Sequence, residues 1–217
     1  MKNNLKQKFA IFDVDGTILD SKRRMARELV WTAEQLGIGA DYNIALENYN
    51  NWNCFIDYYN IPKANFFGVE GQGKTWEQSL MEKEAILFKD TIPCLETLAS
   101  RNVLLGVLTK SKPEYTWKKI NYFGLKKYFG DRIVITNIKD QSKIDDAKRL
   151  VSQLNQRISS VYLIGDQLGD VIIAPEVEET FRINSNGIWL NRECSETPEI
   201  LSKFPQINSL EELSKII

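Results

Sequence analysis

The chain has 217 residues, 43% of them hydrophobic, with 28 basic and 29 acidic side chains and a formal charge of -1. That length and apolar content suit one α/β domain with a sizeable insertion, and the balanced charge gives no electrostatic footprint for a nucleic acid polymer or an anionic membrane. Histidine is absent, which excludes every mechanism that uses imidazole as base, nucleophile or metal ligand and leaves the chemistry to carboxylates, hydroxyls and lysines.

In chain order, the polar and basic segment Met1–Lys8 leads into the apolar run Phe9–Phe12, too short for a signal peptide or a membrane span. Cys54, Cys94 and Cys194 are far apart, odd in number and without ligand spacing, so neither a disulfide framework nor a zinc site is expected. The expectation is a soluble, cytoplasmic protein. Phe9–Phe12 is the first of four short apolar runs; the others are Val103–Leu108, Ile133–Ile135 and Val161–Ile164. Each ends in a polar cluster and helical patterns separate them, which predicts a parallel sheet with ligands gathering at the carboxyl ends of its strands.

The first cluster reads Asp13-Val14-Asp15-Gly16-Thr17. Carboxylates two residues apart point the same way on a strand, and the turn at Gly16 lets them converge. Like charges that close repel unless a proton or cation sits between them. A hard, oxygen-seeking ion such as magnesium meets that need and leaves room for a phosphate. An acidic turn ending in a helix cap at Asp20 or Ser21 is the plainer reading of the same residues.

The stretch Ser21–Lys89 is too long for one crossover and reads as an inserted module. A helix over Ser21–Leu36 sets Met25, Leu29, Val30, Ala33 and Leu36 on one side, with Gly37 as its stop. Tyr42–Tyr59, crowded with asparagine and aromatics, reads as the packed interior of a small helical bundle, and Trp76–Phe88 as a further helix. Between them Gly68-Val69-Glu70-Gly71-Gln72-Gly73-Lys74-Thr75 satisfies the phosphate-binding pattern of P-loop nucleotide hydrolases. The strand such a loop should follow is missing, since Ala64–Phe67 is a poor strand after Pro62. A plain loop of the inserted module is the preferred reading, and a loop whose Lys74 touches substrate is the intermediate one.

After the second strand, Leu108-Thr109-Lys110-Ser111 sets a hydroxyl and backbone amides at a strand end, making Thr109 and Lys110 candidates for phosphate binding. Tyr115–Phe123 is helical in pattern. Lys143 opens an amphipathic helix, Lys143–Leu154, with Ile144, Ala147, Leu150, Val151 and Leu154 inward. A cation at a helix start opposes the dipole, so Lys143 is a candidate for another task, with Lys139 as its rival. Gly165-Asp166-Gln167-Leu168-Gly169-Asp170 supplies a second pair of acids after Val161–Ile164. If that strand adjoins the first, Asp166 reaches the same ion as Asp13, and Asp170 orients a water or lysine from behind. Pro175 comes soon enough to cut short the next helix, and Gly187–Leu190 is a closing strand.

In order, the four clusters resemble the four motifs of the haloacid dehalogenase superfamily across nearly the whole core. The first motif, Asp13-Val14-Asp15-Gly16-Thr17, is the most specific, and the third, resting on Lys143, the weakest. The resemblance implies an α/β fold: a Rossmann-like parallel sheet core over residues 1–20 and 90–217, with a smaller α-helical cap over 21–89. It implies a magnesium-dependent phosphatase acting on a small-molecule phosphate ester, with Asp13 as nucleophile and Asp15 as general acid and base. Thr109 and Lys143 would hold the transferring phosphoryl group. Asp13, the backbone carbonyl of Asp15, and Asp166 would hold magnesium, with Asp170 beside them. One departure is Ile144, where many relatives have proline after the lysine. A phosphomutase needs the same acids and is the alternative within the superfamily, whereas a dehalogenase has little use for Asp15. Sugar phosphates, phosphoglycolate and nucleotide monophosphates are all candidate substrates.

Overall fold

A computed structural model of the protein describes residues 6–136, 143–154, 158–194 and 198–217. Six strands form one sheet: β1 (Gln7–Phe12), β4 (Leu104–Thr109), β5 (Ile133–Ile135), β6 (Ile158–Gly165), β7 (Asn184–Leu190) and β8 (Gln206–Ile207). Their order is β5-β4-β1-β6-β7-β8 and every pairing is parallel. This is the parallel, helix-covered sheet that four apolar runs separated by helical patterns predict, and the α/β, Rossmann-like core that the resemblance implies. The runs are apolar throughout because both faces of the sheet are covered, and Phe9, Ala10, Ile11 and Phe12 are all buried.

Strand order places the site. From β1 the chain steps outward through β4 to β5, then returns to the other side of β1 and continues through β6 to β8, so the order reverses beside β1. Open parallel sheets leave a crevice at such a point, at the carboxyl ends of the strands. The register brings those ends level, with Phe12 lying opposite Val107 on one side and Ile164 on the other. Asp13, Thr109 and Asp166, each at or directly beyond a strand end, are thereby drawn to one edge.

Alternation along β1 divides the core between two faces. Phe9 and Ile11 pack with Val161 and Leu163 against α9 (Lys143–Ser152) and α11 (Ala174–Phe181), which contribute Ala147, Leu150, Val151 and Val177. Phe12 meets Phe129 of α8 (Lys126–Phe129), with ring centroids 6.4 Å apart. Each fully buried Leu, Val or Phe in such a core contributes about 1.5–3 kcal/mol. Helix α9 buries Ala147, Leu150 and Val151, as its spacing predicts, with Ile144 and Leu154 half-buried at the rim. Also flanking the sheet are α6 (Thr91–Ser100), α7 (Pro113–Tyr122) and α12 (Leu213–Ile216). The helix after β6 is a single turn, α10 (Leu168–Val171), and α11 begins afresh with Pro175 in its first turn.

The chain divides into two compact units, Met1–Leu19 with Leu87–Ile217, and Asp20–Ile86. It passes between them along the two-stranded ribbon of β2 (Leu19–Asp20) and β3 (Ile86–Leu87). The smaller unit is helical: α1 (Lys22–Gln35), α2 (Tyr42–Glu47), α3 (Trp52–Tyr58), α4 (Lys63–Gly68) and α5 (Trp76–Met81). Gly37 stops α1 in a left-handed conformation, φ +74°, while the Ile38 amide donates back to the Ala33 carbonyl. The aromatics of Tyr42–Tyr59 do fill an interior: Phe55 is fully buried, 5.0 Å from Tyr59 and 6.2 Å from Phe66 between ring centroids.

Two expectations need correcting here. Trp76–Phe88 is not one helix, because Lys83 turns left-handed at φ +58° and the Glu84 amide closes back onto the Ser79 carbonyl, so α5 ends at Met81 and the chain becomes β3. In α1 the inward stripe takes Arg24, Ala26, Leu29, Thr32 and Ala33, leaving Met25 half-buried. Arg24 can be buried there because its guanidinium donates to the Glu28 carboxylate and the Lys74 carbonyl. Among the described residues, no helix is long and apolar enough to cross a membrane.

Candidate active site

Asp13 is the first residue beyond β1, and its amide still donates to the Ile164 carbonyl of β6 at 2.9 Å. One carboxylate oxygen from each of Asp13, Asp166 and Asp170 lies within 4.8 Å of the others. Asp166 comes directly after β6, and its neighbour Asp170 is folded back by α10, where its carboxylate accepts from the Gln167 amide at 3.0 Å. Close approach dictates two glycines. A β-carbon on Gly16 would sit 2.3 Å from an Asp166 carboxylate oxygen, and one on Gly165 would sit 2.1 Å from Asp170. Gly16 also holds φ +82°, which side chains rarely adopt.

Lys143, at the start of α9, donates to Asp13 Oδ1 at 2.9 Å and also to Asp170 Oδ1. Burial, reinforced by the Asp170 and Asp15 carboxylates, pushes the Asp13 carboxyl up to about 7 despite the opposing pull of Lys143. Asp166 is likewise held well above the usual carboxylate range by burial and by Asp170 and Asp13, against a 2.9 Å hydrogen bond from Thr17. Burial works against the Lys143 ammonium, yet Asp13 and Asp170 outweigh it and raise its affinity for the proton. Three carboxyl groups thus crowd together, and one lysine bonds two of them, which disfavours full ionisation unless a further cation joins them. An all-oxygen donor set with charge to spare fits a hard divalent cation such as magnesium.

Asp15 stands apart from this group. Its carboxylate is turned to Lys119, whose Nζ lies 2.6 Å from Asp15 Oδ2 and donates to Ser111 Oγ at 3.1 Å. What the superfamily resemblance asks of Asp15 as a metal ligand is its backbone carbonyl, not this carboxylate. Thr109 ends β4, buried, and its hydroxyl accepts from the Ser111 amide at 3.3 Å. Lys110, beside it, is exposed and takes no part in these bonds. Lys139 lies outside the described residues.

The turn after β1 is braced from behind by a residue that sequence reasoning missed. Arg192 donates to the Thr17 carbonyl at 2.7 Å and grips Asp90 with two bonds of 2.9 and 3.0 Å, its guanidinium 3.7 Å from the Phe88 ring centroid. Asp90 also accepts from Ser209 Oγ and the Leu210 amide. Lys119 was missed too, although the spacing of Thr116, Lys119 and Ile120 on the buried face of α7 carries the signal of a lysine turned inward.

The glycine-rich stretch Gly68–Thr75 is built differently. It joins the end of α4 to Thr75, the N-cap of the six-residue α5, and comes after no strand. Lys74 donates to the Glu82 carboxylate and, at 2.9 Å, to Glu84. A β-carbon on Gly73 would meet the Trp31 ring at 2.6 Å, so that glycine serves packing within the helical unit. Neither the strand nor the free ammonium that a P-loop requires is there.

A strand order that reverses beside β1, with acids from two adjacent strand ends and a lysine from the start of α9, defines a hydrolase core of the haloacid dehalogenase kind. The family model for haloacid dehalogenase-like hydrolases matches residues 10–180, and the chain belongs to that family. Solved structures agree on the fold. A predicted phosphatase from Clostridium acetobutylicum superposes with a TM-score of 0.69 at 23% identity, covering 98% of each chain. A HAD phosphatase from Thermococcus onnurineus gives 0.62 at 22%, covering 97% of each. A Bacillus subtilis protein assigned as a HAD hydrolase and solved bound to magnesium gives 0.64 at 19%, covering 97% of this chain and 98% of its own. No curated protein matches the sequence.

Proposed function

We propose that this hydrolase is a magnesium-dependent phosphatase that cleaves small phosphomonoesters through an aspartyl-phosphate on Asp13. The observation that carries the reading is the meeting of Asp13, Asp166 and Asp170 at the carboxyl edge of the sheet, with Lys143 bonded to Asp13 and Asp170. The phosphatase names of the Clostridium acetobutylicum and Thermococcus onnurineus neighbours and the magnesium in the Bacillus subtilis one support it.

In this reading Asp13, the Asp15 carbonyl and Asp166 hold the cation, with Asp170 anchoring Lys143 behind them. When bound, the cation supplies charge that offsets the phosphoryl oxygens and keeps Asp13 ionised. Asp13 attacks phosphorus as the ester oxygen departs, which splits hydrolysis into two displacements. Asp15 gives the leaving oxygen its proton and then takes one from the attacking water. Thr109 and Lys143 hold the phosphoryl group through its passage, where fixed donors contribute most. The helical unit Asp20–Ile86 acts as a cap that excludes water and selects among esters.

A panel of phosphomonoesters assayed with magnesium and with chelator tests this. The expected result is turnover of at least one ester that stops when the metal is removed and returns when it is restored. Turnover indifferent to chelation contradicts the reading.

A further inference from the structure

Lys119 is a buried cation that the proposed mechanism leaves without a task. It lies on the inward face of α7 and is 1% exposed, with Nζ 2.6 Å from Asp15 Oδ2 and 3.1 Å from Ser111 Oγ. Stability is a weak account of a lysine at that position. Withdrawing an ammonium from water costs more than its ion pair returns in many proteins, and well-packed apolar side chains in place of such a pair are often neutral or stabilising. The pair also leaves Asp15 asymmetric. Oδ2 is clamped, while Oδ1 is buried with no hydrogen-bond partner among the described residues. A buried carboxylate oxygen in that condition is expensive unless a group that arrives later completes it.

We propose that Lys119 is a positioning residue for the proton transfers of Asp15: by clamping Oδ2 it reserves Oδ1 as the oxygen that carries the proton. The assignment rests on the phosphatase reading. In the first displacement an Asp13 oxygen bonds to phosphorus, the ester P–O bond breaks with its electron pair going to the leaving oxygen, and the proton on Asp15 Oδ1 passes to that oxygen. In the second, a water oxygen bonds to phosphorus, the Asp13–phosphorus link breaks, and the water's proton passes to Oδ1. A carboxyl fixed at one oxygen needs no reorientation between the two steps. Ser111, on the loop after β4, fixes the ammonium in turn, which ties this device to the same strand end as Thr109.

Leaving groups separate this role from a structural one. Phenyl phosphate needs its departing oxygen protonated; 2,4-dinitrophenyl phosphate does not. With phenyl phosphate, Lys119→Met is expected to lose about 100-fold in kcat at a nearly unchanged KM, the scale of one general acid. The burst of dinitrophenolate, which reports the first displacement alone, should fall less than about threefold, since general acid catalysis has nothing to add there. Lys119→Arg, which keeps the charge but not the reach, and Ser111→Ala, which loosens the ammonium, should repeat the selectivity at smaller size and carry the test if Lys119→Met does not fold. Equal losses on the two esters would overturn the assignment. A wild-type protein that forms no phosphoenzyme from either ester would overturn the phosphatase reading itself, and this assignment with it.

Discussion

Two stretches of this chain are written in the residues of phosphate chemistry, the Asp13–Thr17 turn and the Gly68–Thr75 loop, and the chain uses them differently. The first comes after a buried strand, so Asp13 is aimed at a shared edge and joined there by Asp166, Asp170 and Lys143, while Asp15 turns to Lys119. The second comes after a helix, and its lysine is bound by Glu82 and Glu84 of its own unit. The second stretch matches its motif in full, yet only the first has the backbone context its motif presumes. A motif is a statement about what the preceding element does with the chain, and residue identity alone does not carry it.

The comparison breaks most directly at its two key side chains. Asp13→Asn is expected to lower kcat by at least about 10⁴-fold, as removal of a nucleophile does, while Lys74→Met changes it by less than about tenfold, the range of a solvent-screened ion pair. Steady-state assays of the two purified variants decide it, and the reverse order would restore the nucleotide-hydrolase reading.

Next in size is the brace behind the turn. Asp90→Asn breaks a bidentate, largely buried pair and should destabilise the protein by about 3–5 kcal/mol near neutral pH, read by denaturant unfolding. Burial would raise the Asp90 carboxyl, but Arg192, the Leu210 amide and Ser209 hold it below its usual value of 3.8. The folded state therefore favours the ionised form. That stabilisation is present above pH about 4 and disappears as the pH falls through the lowered folded value, so the gap between wild type and variant should close in acid.

Lys143→Met should cost about 10²–10³-fold in kcat, the scale of one preorganised donor at a phosphoryl group. The smallest expected effect sharpens the contrast from the other side. Gly68 has open space around its α-carbon, so Gly68→Ala should shift stability and kcat little, within about 0.5 kcal/mol of wild type. Gly16→Ala, by contrast, forces a β-carbon into Asp166. A P-loop glycine would not tolerate what Gly68 is expected to accept.

Much of this was legible because the core strands are covered on both faces. Unbroken apolar runs mark where each strand ends, and the acids stand directly beyond, so Asp13, Asp166 and Asp170 could be found and their neighbourhood inferred. Pro175 foretold the one-turn α10 because it cannot sit in a helix interior. What stayed hidden depends on distance along the chain or on short elements. Asp90 and Arg192 are 102 positions apart and pair only once the fold is formed. The two-residue strands β2, β3 and β8 have no period to detect. Lys119 was hidden by a sound default, that a helical lysine is solvated, which fails here because Asp15 lies beneath it.

The central claim is that Asp13 takes up phosphorus. Enzyme quenched during turnover of a phosphomonoester with magnesium, then treated with borohydride, reduces any aspartyl-phosphate to homoserine, which mass spectrometry locates in the peptide spanning β1. Conversion at Asp13, absent when chelator replaces the metal, is the predicted result. Rapid turnover with Asp13 unmodified, or conversion at another carboxylate, would contradict it.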